Sequence, residues 1–157
     1  MVQRIHAWML LATLTACGPS DARLDGLDVT VTTPSGWSVQ MMRESSMSRG
    51  DAELQKGGKT YGFLSPKVVI PLGADKKAWP KEGPHTQQQL EAAFAPLSPT
   101  DVKAFERGFG LRYEKKGKPK FFYVVQLDGR ELSCTANDWI AAEDVPAAIS
   151  ICTSVRP

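Results

Sequence analysis

Apolar and polar residues alternate with a period of two over much of this chain. Leu27, Val29 and Val31 alternate with Asp28, Thr30 and Thr32, the pattern of a strand with one buried face. Pro34-Ser35-Gly36 predicts a turn, and Trp37, Val39 and Met41 then alternate with Ser38 and Gln40 as a second strand. The polar stretch 45–50 reads as loop. Ala52 to Lys56 and Lys59 to Leu64 flank Gly57-Gly58, a hairpin signal. Val68-Val69-Ile70 predicts a short buried run that Pro71 stops. Residues 71–84 are rich in Pro, Gly and Lys and read as a loop. Trp79 in that loop is expected to pin it to the body of the protein rather than to touch a ligand.

The period changes at Thr86. Thr86 and Gln89 have the spacing of a capping box, and Leu90, Ala93, Phe94 and Leu97 then fall on one helical face. Ser98-Pro99-Thr100-Asp101 predicts a second short helix, with Ser98 as cap, Pro99 in the first turn and Val102 and Phe105 as its buried side. Alternation returns at Phe109, Leu111 and Tyr113. Phe121-Phe122-Tyr123-Val124-Val125 is apolar at every position, as in a central strand covered on both faces. Asp128-Gly129 marks a hairpin turn, after which Leu132, Cys134 and Ala136 point one way. Pro146 opens a last helix on which Val145, Ala148, Ile149 and Cys152 share a face. Strands and helices are segregated along the chain. The class expected is α+β: an antiparallel β-sheet with short middle helices and a C-terminal helix packed on the sheet.

The first residues follow a different rule. A basic start (Arg4, with His6 close by) precedes the apolar run Ala7-Trp8-Met9-Leu10-Leu11-Ala12 and then Leu14-Thr15-Ala16-Cys17. This is the layout of a secretory signal, too short for the roughly 20 residues of a membrane span. LTAC resembles the lipobox of bacterial lipoproteins. The resemblance implies cleavage before Cys17, lipidation of its thiol and acylation of the new amino group. It makes residues 1–16 a signal peptide, 17–26 a lipidated tether and 27–157 a single domain. Cys17 to Pro157 is about 140 residues, a length that suits one domain with its own core. Gly18 stands where well-studied enteric lipoproteins carry an Asp for inner-membrane retention. The expected location is therefore the cell envelope, at the outer membrane facing the periplasm or the cell surface.

That compartment bears on the cysteines. With Cys17 lipidated, Cys134 and Cys152 remain, and an exported domain in oxidising surroundings pairs them by default. Both lie on core-facing positions of consecutive elements, so a disulfide tying the last helix to the sheet is expected. The whole chain carries a net charge of +2, and loss of Arg4 with the signal leaves it near neutral, which gives no reason to expect nucleic acid binding.

Recognisable chemistry is sparse. His85 is the one histidine of the mature chain and reads as a solvated loop residue. HExxH, CxxC, EF-hand and GxSxG patterns are missing. Gly108-Phe109-Gly110 lacks the third glycine of a phosphate loop and opens a strand, not a helix. Glu143-Asp144 sits at a helix start, where carboxylates favour the dipole. Lys115, Lys116, Lys118 and Lys120 crowd one hairpin. They read either as a contact for an anionic surface, such as lipid head groups or cell-wall polymer, or as a solvated tip that deters edge-to-edge association. No metal or other cofactor is expected.

The opening strand, the Pro34-to-Trp37 turn, the second strand and the Phe109–Ala136 meander followed by a packing helix together resemble the PsbP-like fold. That family includes photosystem extrinsic subunits and bacterial lipoproteins, mainly binding or assembly proteins. The expectation is a lipid-anchored envelope protein with a non-catalytic binding or scaffolding role toward another envelope protein, held to the membrane by acyl chains on Cys17. The alternatives are a lipid-anchored enzyme whose site is spread over loops, and a small-ligand carrier with a cleft between sheet and helices.

Overall fold

A computed structural model describes residues 18–43, 50–79 and 86–157. A two-stranded antiparallel hairpin, β1 (Ser20–Leu24) and β2 (Val29–Thr33), precedes the main sheet. That sheet holds β3 (Trp37–Met41), β4 (Ala52–Lys56), β5 (Lys59–Ser65), β6 (Asp101–Phe105), β7 (Gly108–Lys115), β8 (Lys118–Leu127) and β9 (Arg130–Ala136). Their order across it is β3-β4-β5-β9-β8-β7-β6, antiparallel at every pairing. The helices are α1 (Gln87–Phe94) and α2 (Val145–Thr153). The architecture is thus α+β, mainly antiparallel sheet, with one of its two described helices at the C-terminus.

The period-two residues sort onto two cores. On one face, Phe121, Tyr123 and Val125 of β8 pack with Leu132 and Cys134 of β9, the inward side of α2 and Val29 and Val31 of the first hairpin. On the other, Phe122 and Val124 pack with Phe109 and Leu111 of β7 and with Leu90, Ala93 and Phe94 of α1. β8 is buried from Lys120 to Val125 because it is covered on both sides. Thr86 and Gln89 close a capping box on α1. Trp79 lies edge-on to Phe94 and Phe109 at 5.6 and 5.3 Å, fixing its loop to the second core. Gly110 leaves the space that the Tyr123 ring fills from the paired strand, since a Cβ there would lie 2.2 Å from a ring carbon.

Four sequence expectations are corrected. Residues 101–105 form the edge strand β6 instead of a helix. Val102 and Phe105 would share a helical face, but they pack against opposite cores, Val102 with α1 and Phe105 with the first core. Pairing with β7 in register decides the matter. The outer edge of β6 is occupied by the Gln87 side chain, which donates to the Val102 carbonyl and accepts from the Ala104 amide at 2.9 Å. Second, Val68–Ile70 is not buried throughout: Val68 and Ile70 are partly buried against the second core while Val69 is exposed. Third, α2 buries Val145, Ala148, Ile151 and Cys152, with Ile149 only partly covered. Fourth, Ser20–Leu24, within the expected tether, is strand β1, because Ala22 and Leu24 have core to cover.

Candidate functional site

One end of the main sheet gathers the groups the sequence draws attention to. It comprises the start of β3, the β4–β5 turn at Gly57-Gly58, the β7–β8 turn at Lys116-Gly117 and the connection 137–140 after β9. The four hairpin lysines separate here. Lys115, Lys116 and Lys118 are exposed at the tip. Lys120 is only 6% exposed, and its ammonium is held by Asp138. Lys120 is therefore withdrawn from any anionic contact at the tip. The bond and charge of Lys120 in turn hold the Asp138 carboxyl below its ordinary range. Lys118 lies over the ring of Trp139, 5.3 Å from its centre, a cation–π contact.

Trp139 is 75% exposed and was not singled out in the sequence. Its only signal there is an aromatic in a short connection, directly after the polar pair Asn137-Asp138. Asn137 fixes that connection. It accepts from the Trp139 amide at 2.9 Å, its own amide donates to the Tyr61 carbonyl at 3.0 Å, and its side chain donates to the Thr60 carbonyl. Trp139 forms one wall of a cleft of about 430 Å³ with Glu53, Lys59, Tyr61 and Phe63. Glu53 already accepts from Gln55 and Thr60, so the polar lining is largely engaged within the protein. A larger hollow of about 570 Å³ lies at the opposite end, around Pro66, Val68, Leu127 and Arg130. Its polar groups are also paired: Gln126 donates to Glu131 at 3.2 Å and Arg130 to the Asp28 carbonyl at 2.9 Å. Neither hollow is the deep apolar cleft that a small-ligand carrier calls for.

Other candidate residues have structural partners. Asp144, at the start of α2, is bonded to Lys56 at 2.6 Å, and that bond raises the lysine's pKa. The structure joins Cys134 to Cys152 with their Cα atoms 5.8 Å apart. Gly108 and Gly110 belong to β7, in close contact with β8. Among the described residues no three His, Cys, Asp or Glu side chains cluster as a metal site, and no helix is long and apolar enough to cross a membrane. Cys17 and His85 lie outside the described residues.

Away from this end, the loop after β5 carries two more large apolar side chains that stand in solvent among the described residues, Val69 at 70% and Leu72 at 79% exposure. No protein-family model matches this chain, and no curated protein matches it either.

Proposed function

We propose that this is a lipid-anchored bacterial envelope protein, held by acyl chains on Cys17 at the outer membrane, that binds or scaffolds another envelope protein without catalysis. We also read its layout as PsbP-like. The observation that carries the binding role is the exposed apolar pair Val69 and Leu72. They sit on one loop whose neighbouring residues, Val68 and Ile70, anchor it to the second core. Apolar side chains held out from a fixed loop suit a protein contact. The sequence LTAC behind a short apolar run supports the anchor.

Two measurements test this. Cys17→Ser should accumulate as an uncleaved or mislocalised precursor that takes up no labelled fatty acid; normal processing and membrane association of that variant would refute the anchor. A photo-cross-linker placed at position 69 or 72 in intact cells should capture an envelope protein, and the adduct should disappear when the other position is changed to Asp. Absence of any adduct from both positions would refute the partner surface.

A further inference from the structure

We propose that the end of the sheet carrying Trp139, Lys115, Lys116 and Lys118 lies against the anionic head groups of the leaflet that holds the acyl chains, so that the domain docks in a fixed orientation. This rests on the lipid-anchor reading above and adds to it a surface and a direction.

The direction comes from where the chain enters the fold. β1 begins at Ser20, which leaves Gly18 and Pro19 between Cys17 and the first strand. Three residue steps span at most about 11 Å, so the domain has no stalk. Ser20 is paired with Thr33, its hydroxyl 3.0 Å from that of Thr33. Thr33 is followed after a short turn by Trp37, the first residue of β3. β1 runs away from this end toward the turn at residues 25–28, where Gly26 meets Met41 at the far end of β3. The chain therefore enters β1, at Ser20, at the end of the sheet where β3 starts.

The contacts beside that point run on without a break toward Trp139. Trp37 packs on Tyr61 at 5.5 Å, the Tyr61 carbonyl accepts from Asn137, Asn137 holds Trp139, and Lys118 covers Trp139. From β3 to β8 this edge spans four strand spacings, roughly 19 Å at about 4.8 Å each. A lipid at one corner thus brings the other corner within reach of the same bilayer.

The chemistry suits a charged lipid surface. Two carboxylates here, Asp138 and Asp144, are taken up by Lys120 and Lys56. Glu53 lies back in the cleft with Gln55 and Thr60. That leaves Lys59, Lys115, Lys116 and Lys118 against Glu53, Glu114 and Glu143, a surplus of one positive charge. An exposed indole is the side chain that settles at the head-group level, and lysine stems extend around it into that region. Each lysine near an anionic surface strengthens attraction about fivefold. The acyl anchor supplies the high local concentration that makes so small a contact sufficient.

The test uses the full lipidated chain, purified in detergent and placed on vesicles of phosphatidylcholine alone or of equal parts phosphatidylcholine and phosphatidylglycerol. A fluorophore is attached through Lys115→Cys in one sample and through Asp128→Cys, at the opposite end, in another. Both vesicles carry a lipid with a quencher on its head group. On the anionic vesicles the label at 115 should be quenched several-fold more than the label at 128. That difference should vanish on neutral vesicles and in a K116Q/K118Q/W139S background. Equal quenching at both ends of a protein that floats with the vesicles overturns the orientation alone. Failure to float with either vesicle overturns the anchor, and the orientation with it. Quenching indifferent to head-group charge, together with lysine-dependent sedimentation with cell-wall polymer, would assign the lysines to the wall and overturn the docking.

Discussion

At the residue scale, Lys120 and Asp138 form an asymmetric pair, with the ammonium buried and the carboxylate largely in solvent. Because Lys120 lowers the pKa of Asp138 in the fold, the pair adds stability above the unfolded value near 4. That contribution is lost as pH falls through the lower folded value. Stability should therefore decline on acidification below about pH 4, and D138N should lack this part of the decline. D138N leaves a buried ammonium without a counter-charge, whereas K120M leaves a carboxylate in water. Urea unfolding at neutral pH should rank D138N below K120M. The reverse ranking would mean that packing of the lysine stem, and not its charge, matters at this position. Gly110 shows the same dependence on neighbours: a plain strand position in sequence holds no side chain because Tyr123 occupies the space.

At the element scale, α2 is fastened along its length. Asp144 bonds Lys56 at its start, Cys152 is joined to Cys134 near its end, and the segment beyond it pairs with β2 through Thr30 and Arg156. The disulfide joins residues 18 apart in sequence, for which chain entropy gives about 3 kcal/mol. C134S/C152S should unfold that much more easily in denaturant than the oxidised protein, and non-reduced peptides should yield the 134–152 linkage. Two free thiols in protein isolated without reductant would contradict the bond. The edge strand β6 illustrates the limit of local reading. Its five residues satisfy a helical spacing on paper, yet strand pairing sends Val102 and Phe105 to two different cores.

At the scale of the whole molecule, the main sheet is covered on one face by α2 and the first hairpin. On its other face α1 and the 66–79 loop cover the β6–β8 half. The other half, which no described element covers, carries the hydrogen-bonded side chains of Gln40, Gln55, Glu53 and Thr60. In the proposed docking the end of the sheet sets an orientation and not an attachment, because the two or three acyl chains proposed at Cys17 would hold far more strongly than three lysines. Replacing Lys115, Lys116 and Lys118 together with Gln should leave membrane fractionation unchanged. Release of that variant at moderate salt would show that charge holds the protein.

Some of this was written in the sequence because it depends on neighbours close along the chain. The alternation in β2, β3, β7 and β9, the all-apolar run of β8, the Asp128-Gly129 turn and the Thr86–Gln89 cap are local patterns, and the structure follows them. The LTAC behind its short apolar run is likewise a linear pattern, and it lies outside the described residues. What needed the tertiary structure depends on partners distant in sequence. Strand order across the sheet, the capture of residues 20–24 by β2 and of 101–105 by β7, and the burial of Lys120 all follow from pairing that no short window contains. The same holds for the end of the sheet: Lys118 and Trp139 are 21 positions apart in sequence and in contact in space. Only that contact, with the point where the chain enters, supports the direction proposed for the lysines. Period fixes which face a side chain takes, and long-range pairing fixes what stands opposite it.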